Sequence, residues 1–194
     1  MDRLSFNIMR KPGTRGPLYC ILLVSVLGTL SWSVSAAQEN CLKQVFNRYC
    51  LGGDYNAQLR KRPMPMHRQG EGDRQAAVYL EGRGRVYVMA HAGRIYKVVK
   101  ESRPATQLHF DELSSQLSEK YGQATDRSRF PFHAKSRSSR IVAIRRGEAQ
   151  ALQEWRPEPG WRIELSWTRE MGVALTYIAN ELEARFKQAL EQGL

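Results

Sequence analysis

Two stretches of alternating apolar and polar residues, each followed by a helical pattern, constrain the fold of this chain most strongly. In the C-terminal stretch, Ile163, Leu165 and Trp167 alternate with polar residues, and the pattern resumes over 173–177 after a short turn. A period of two residues is typical of a β-strand with one buried face, so these runs predict an antiparallel hairpin. Apolar residues then recur at helical spacing and predict a helix over about 180–191.

The same order of strands and helix occurs earlier in the chain. Residues 77–100 contain three runs rich in β-branched residues and tyrosine, separated by glycine-containing turns at 82–84 and 92–93. This composition predicts a three-stranded antiparallel meander. Apolar residues at helical spacing, with Gly122 directly after them, predict a helix over about 107–121.

The region between these two units is less regular. Four apolar residues at 141–144 predict a strand, whereas 149–155 fits either a helix or a strand. Together the patterns predict an α+β fold in which an antiparallel sheet, with strands at about 77–100 and 141–178, carries helices packed on one face. This α+β domain is expected to span 76–194.

The first 36 residues have the three parts of an export signal. A basic leader precedes an apolar run at 18–30, and small residues at Val34 and Ala36 form a cleavage pattern. The apolar run has about 13 residues, fewer than the roughly 20 that a membrane-spanning helix needs. We therefore expect cleavage after Ala36, which would leave a mature periplasmic domain of residues 37–194. The alternative is an inner-membrane anchor through 18–34.

Two cysteines remain in the expected mature chain. In an oxidising compartment, Cys41 and Cys50 form an even pair that predicts a disulfide. Apolar residues at helical spacing also predict a short helix over about 41–51, which would hold the two Cα atoms about 13.5 Å apart. A disulfide needs Cα atoms within about 7 Å, so the full helix and the bridge exclude each other. Residues 37–75 comprise this helical segment, a second short helix that Asp54 would cap and that would extend through Leu59, and a linker rich in Pro and Gly.

The chain is strongly basic, with 30 Lys and Arg residues against 19 Asp and Glu. The predicted signal contains four of these bases and one of the acids, so the mature domain would carry 26 bases, 18 acids and a net charge of +8. A positive surface favours encounter with anionic partners. The expected partner is an anionic envelope polymer or lipid surface, or an acidic protein. Predicted export excludes intracellular nucleic acid, and the oligomeric state is not predicted.

One basic segment, residues 126–148, concentrates this charge. It contains seven basic residues against two acidic ones, together with Phe130 and Phe132. Guanidinium groups bind carboxylate and phosphate, so the segment is a candidate anion-binding site. The alternative is a flexible solvated loop whose two phenylalanines pack on the core. Its basic members are Arg127, Arg129, Lys135, Arg137, Arg140, Arg145 and Arg146.

No stretch carries a specific catalytic, cofactor or metal signature. The four histidines are far apart and lack the spacing of zinc ligands, and no nucleophile motif is present. Serines close to His133, or the carboxylates of Glu154, Glu158 and Glu164, leave open a small hydrolase whose site is assembled from distant residues. We expect a non-enzymatic exported protein that acts by binding in the cell envelope, without a cofactor. Besides the hydrolase, an inhibitor- or immunity-type protein that binds an acidic partner is the alternative.

Overall fold

The computed structural model describes residues 41–193, so the predicted export signal and its cleavage site lie outside the described residues. These residues form two sheets and a set of helices around one hydrophobic core. The strands are β1 (Lys43–Val45), β2 (Tyr49–Leu51), β3 (His67–Glu71), β4 (Arg74–Glu81), β5 (Gly84–His91), β6 (Arg94–Ser102), β7 (Thr125–Asp126), β8 (Ala151–Glu158), β9 (Trp161–Thr168) and β10 (Gly172–Ala179), and the helices are α1 (Tyr55–Lys61), α2 (Gln107–Tyr121), α3 (Arg137–Arg146) and α4 (Asn180–Gln192).

The main sheet has eight strands in the order β3-β4-β5-β6-β10-β9-β8-β7, and every neighbouring pair is antiparallel. Strands β1 and β2 form a separate hairpin. The predicted α+β class is confirmed. The meander predicted over 77–100 corresponds to β4, β5 and β6, and the two predicted helices correspond to α2 and α4.

One face of the sheet holds the largest buried side chains. Along β9, Trp161 and Trp167 are 1% and 3% exposed, and they share a face with the alternate residues between them. Helix α2 packs on this face: the Phe110 ring lies 6.2 Å from the Trp167 ring, and Trp155 Nε1 donates to the Gly122 carbonyl at 2.9 Å. The carbonyl that follows α2 therefore gains a buried donor from β8.

The opposite face carries α4, so the helices cover both faces and the prediction of a single covered face is wrong. Strand alternation places Arg162 on the face away from Trp161. There Arg162 Nη2 donates to Glu183 Oε2 of α4 at 2.7 Å, and Lys97 Nζ lies 3.3 Å from Glu183 Oε1. The polar face of β9 therefore binds helix α4 through ion pairs. The alternation of polar and apolar residues along β9 did not predict this contact.

The helix predicted over 41–51 is also wrong, because this segment is the β1–β2 hairpin. Val45 pairs with Tyr49 across three residues, 46–48. The Arg48 N–H donates to the Val45 carbonyl at 3.1 Å, so Phe46 and Asn47 are the central residues of the turn, and their φ angles are 50° and 55°. Positive φ at both central residues is the geometry that joins strands with a right-handed twist. Burial follows strand alternation, since Val45, Tyr49 and Leu51 are at most 1% exposed.

The hairpin permits the predicted disulfide. Cys41 and Cys50 are bridged, with their Cα atoms 5.3 Å apart. The conflict between bridge and helix is thus decided for the bridge. The hairpin is further held by β4, because Tyr49 OH and Arg62 Nη1 both donate to Glu81 Oε1, at 2.8 and 2.6 Å.

The strand predicted at 141–144 is instead the centre of α3. Ser136 caps this helix: its Oγ accepts from the Ser139 N–H at 3.1 Å. The helix ends at Gly147, whose φ of 79° is left-handed. These two end signals override the strand propensity of the Ile-Val-Ala-Ile run. The ambiguous segment that follows forms β8 from Ala151 onward.

The second short helix corresponds to α1, whereas the segment predicted as a linker contains strand β3. Helix α1 begins after Asp54, whose Oδ1 accepts from the Ala57 N–H at 2.6 Å. Strand β3 pairs with β4 through a tight turn at Gly72, where φ is 55°. All five residues of β3 are exposed, so it forms a polar edge of the sheet. Among the described helices, none has the length and apolar character needed to cross a bilayer.

Candidate anion-binding site

The basic segment comprises the short strand β7, a loop and helix α3. All seven of its predicted site residues are exposed. Within residues 41–193, Arg137 is the one of the seven with a carboxylate at ion-pair distance. The structure separates them into two groups: Arg137 and Arg140 line a cavity, whereas the other five face the surrounding solvent. We call these five the basic surface: Arg127, Arg129, Lys135, Arg145 and Arg146.

Two members of the basic surface lie at an edge of the sheet. The Arg127 N–H donates to the Leu152 carbonyl at 2.8 Å, and Arg129 pairs with Gln150. Between them, Ser128 Oγ accepts from the Leu152 N–H at 3.0 Å. Arg127 and Arg129 line an open groove of about 570 Å³, which Glu154 also borders.

Two further members occupy the last turn of α3, shortly before the edge pairing resumes at Gln150. Arg145 and Arg146 are exposed, and the Arg146 carbonyl accepts from Arg169 Nη1 at 3.3 Å. Positive side chains at a helix C-terminus interact favourably with the helix dipole. Their guanidinium groups have no ion-pair partner among the described residues, so they remain available to an external anion.

The two phenylalanines of the basic segment have different environments. Phe130 packs against the core, and the Arg140 guanidinium carbon lies 4.8 Å from its ring centroid. Phe132 is 87% exposed, and Lys135 Nζ lies 4.4 Å from its centroid. The sequence alternative of two phenylalanines packed on the core therefore holds for Phe130 and not for Phe132.

The α2–α3 cavity, of about 260 Å³, lies between α2, α3 and β8. The two predicted residues in it, Arg137 and Arg140, are joined by Asp111, Asp126 and Gln153, which sequence reasoning missed. Asp111 lies on α2 and Gln153 on β8, and neither belongs to a local motif. No sequence signal connected them to the basic segment, because tertiary packing alone brings these elements together.

The carboxylates of this cavity are held by neighbouring donors. Gln107 Nε2 donates to Asp111 Oδ1 at 2.6 Å, and Arg137 Nη2 donates to Asp111 Oδ2. Asp126 Oδ1 accepts from the Ser128 N–H at 2.8 Å. Hydrogen bonds from Ser128, helped by the positive charge of Arg140, hold the pKa of Asp126 below its ordinary value. Asp126 is therefore charged at neutral pH.

The carboxylates considered for a hydrolase are used in ion pairs. Glu154 and Glu164 lie opposite each other on β8 and β9, and Arg162 Nε lies 3.9 Å and 2.9 Å from their oxygens. Glu158 accepts from Trp161 Nε1 at 3.1 Å. Each of these three carboxylates therefore already contacts a donor of the protein.

The serine and histidine residues considered for a hydrolase lie at the start of α3 and just before it. His133 Nε2 lies 3.8 Å from Glu148, while Ser136 and Ser139 bond to each other in the helix cap. Over 41–193, no group of three or more His, Cys, Asp or Glu side chains is placed to hold a metal ion.

Comparisons with known proteins give only distant similarities. No family model matches the chain, and no curated protein matches it. Among solved structures, it is similar to a cysteine-rich secretory protein from Staphylococcus aureus, with 9% identity and a TM-score of 0.39 over 68% of this chain and 45% of that one. It is also similar to an extracellular protein containing an SCP domain from Bacillus anthracis, with 14% identity and a TM-score of 0.39 over 72% of this chain and 46% of that one. The alignments thus span a little under half the length of each of these proteins.

Proposed function

We propose that this protein is an exported, periplasmic, non-enzymatic protein that binds an anionic polymer of the cell envelope through its basic surface. The observation that carries the proposal is the state of the seven basic side chains of 126–148. All are exposed, and in the described part of the chain a single one, Arg137, is ion-paired. The segment has five more positive than negative charges, so it attracts polyanions over the range of a Debye length.

Export is part of the proposal, and two features support it. The first 36 residues have the composition of a cleavable export signal. The Cys41–Cys50 bridge is the second feature, because disulfides persist in oxidising compartments such as the bacterial periplasm. A periplasmic protein meets envelope polymers with carboxylate or phosphate groups, which are the groups that arginine binds.

A polymer suits the basic surface better than a lipid bilayer. Binding at a bilayer interface requires a broad apolar face next to the charges. In the basic segment, Phe132 and Val142 are the large apolar residues that are exposed, whereas Ile144 of the same helix is 2% exposed. Charge without an apolar face favours a hydrated polyanion.

The test compares two variants that lose the same number of charges. In the first, the four arginines of the basic surface (Arg127, Arg129, Arg145 and Arg146) are replaced by Gln. In the second, Gln replaces four exposed arginines elsewhere: Arg60, Arg74, Arg83 and Arg185. Protein purified from cells is applied to immobilised polygalacturonate and dextran sulfate, with neutral dextran as a blank, and the NaCl concentration that elutes each variant is measured.

We expect the wild type to bind both polyanions at 0.1 M NaCl, a concentration at which the Debye length is about 10 Å. The first variant should elute at clearly lower salt than the second, since a local cluster of charges binds a polyanion more strongly than dispersed charges. Equal elution of the two variants would show that net charge alone causes retention and would remove the basic surface as a site. Retention on anionic vesicles but not on either polymer would redirect the proposal to lipid.

A further inference from the structure

We infer that the α2–α3 cavity binds a single carboxylated sugar unit of the envelope polymer, with Arg140 holding its carboxylate. This inference rests on the proposed function, because it names the chemical class of the polymer. The cavity volume of about 260 Å³ is slightly below the roughly 300–1,000 Å³ typical of pockets for small molecules. An occupant the size of one hexose fits such a volume.

Arg140 is oriented for an anion. Its guanidinium lies over the Phe130 ring at 4.8 Å, and its Nε donates to the Ala134 carbonyl at 3.3 Å. These two contacts fix the plane of the group, while the two terminal nitrogens have no hydrogen-bond partner among residues 41–193. A fixed guanidinium with two free terminal nitrogens is the geometry that binds a carboxylate through paired hydrogen bonds.

Two other charged groups of the cavity bear on this role: Arg137, which does not compete for the anion, and Asp126, whose negative charge interacts with that of Arg140. Arg137 is ion-paired with Asp111, so its charge is already balanced. Asp126 keeps one oxygen that accepts from Ser128, and its negative charge opposes a second negative charge in the cavity. A dianionic phosphate would meet this repulsion fully, whereas a monoanionic carboxylate bound at Arg140 meets less of it.

Uncharged polar groups complete the match with a sugar. Gln153 Oε1 accepts from Ser114 Oγ at 2.6 Å, which leaves the Gln153 amide nitrogen as a donor in the cavity. Asp126 has a second oxygen that can accept from a hydroxyl. Phe110 and Trp167 supply the apolar part of the lining. A few polar groups over an apolar lining are the usual composition of a small-ligand site, and hydroxyls on a compact ring satisfy them.

The experiment is a titration of the full protein with glucuronate, glucose, glucose 6-phosphate and alanine, followed by ligand-detected NMR. We expect glucuronate to bind with a Kd on the order of 1–10 mM and the other three compounds to bind at least about tenfold more weakly. Arg140→Gln should weaken glucuronate binding by roughly tenfold or more, since it removes a charge-assisted pair of hydrogen bonds. Arg140→Lys, which keeps the charge without the planar pair of donors, should weaken it by at least about fivefold.

Asp126→Asn gives a second, independent readout. It removes the repulsion, so glucose 6-phosphate should bind more tightly to this variant than to the wild type. Glucuronate binding that is unchanged in Arg140→Gln, or absent up to 50 mM (far above the roughly 1–10 mM expected), would overturn the inference. Equal binding of glucose, or tighter binding of glucose 6-phosphate or alanine by the wild type, would also overturn it.

The variant of the basic surface separates this inference from the proposed function. It should elute from polygalacturonate at lower salt than the wild type and still bind glucuronate as the wild type does. If glucuronate does not bind while the basic surface still governs polymer retention, the cavity inference fails and the proposed function stands. If polymer retention does not depend on the basic surface while Arg140 binds glucuronate, the proposed function fails and the cavity inference stands.

Discussion

Arg162 and the arginines of the basic surface show two different uses of the same side chain. The Arg162 side chain is 13% exposed, and it donates to Glu183, Glu164 and Asn180 at 2.7 to 2.9 Å. The arginines of the basic surface are exposed, and no described carboxylate lies within ion-pair distance of them. A guanidinium removed from water needs partners supplied by the fold, whereas a hydrated one can exchange water for a ligand.

Burial, and not charge, therefore separates the structural Arg162 from the arginines that we propose bind an anion. The contacts of Arg162 join β9 to α4, so its partners are determined by packing. The basic surface contributes little to packing, and its side chains extend from an edge strand and a helix end. We therefore expect that changes to the contacts of Arg162 will lower the stability of the fold. Changes to the arginines of the basic surface should instead weaken binding.

The largest expected effect is that of Glu183→Gln. Glu183 is 6% exposed and pairs with both Arg162 and Lys97. Its loss removes the carboxylate that contacts Lys97 and leaves the largely buried Arg162 with only Glu164 and Glu154 to balance its charge. The free energy of unfolding in urea should fall by roughly 3 kcal/mol. Glu181→Gln, an exposed change in the same first turn of α4, should alter it by less than about 0.5 kcal/mol. Similar losses in both variants would contradict a specific role for the Glu183 contacts.

A smaller effect is expected from acid. Burial by itself would raise the pKa of Glu183, but the Arg162 hydrogen bond and the charge of Lys97 lower it to about 2, from an ordinary value of 4.5. A lowered folded-state pKa means that this stabilisation is complete above about pH 4.5 and is lost as the pH falls toward 2. Between pH 5 and pH 3, the stability advantage of the wild type over Glu183→Gln should shrink by about 2 kcal/mol.

Unfolding curves of the two proteins at several pH values check this expectation. The basic surface serves as the contrast, since arginine does not titrate in this range. The variant with four glutamines should therefore show the same acid sensitivity as the wild type. If the difference in the free energy of unfolding between the wild type and Glu183→Gln stays constant from pH 5 to pH 3, the Glu183 contacts do not depend on the charge of Glu183.

Much of the sheet could be predicted from the sequence, because strand alternation reports burial directly. The runs containing Ile163 and Val86 formed strands as expected, and α2 was bounded by its apolar spacing and Gly122. The hairpin at 41–51 could not be predicted in the same way. Its turn places Phe46 in the left-handed region, which a bulky residue rarely adopts, and Asn47 was the only local indication.

The candidate site was predicted in part. The sequence identified Arg137 and Arg140 from charge density, but it gave neither their orientation nor the acids beside them. Asp111 reaches the α2–α3 cavity from another helix, so its role depends on how α2 packs against α3. The polar face of β9 was predicted correctly as polar, yet charge alternation does not distinguish an arginine that faces water from one that binds α4.

The smallest expected effect concerns the stability of the basic surface. Replacing Arg127, Arg129, Arg145 and Arg146 with Gln removes no ion pair found among residues 41–193, and Gln has a helix propensity close to that of Arg. The loss of two charges that favour the α3 C-terminus costs a few tenths of a kcal/mol each. The free energy of unfolding should therefore fall by less than about 1 kcal/mol in total. A loss above about 2 kcal/mol in urea would show that these arginines support the fold as Arg162 does, and their hydrated state could then no longer be read as availability for a ligand.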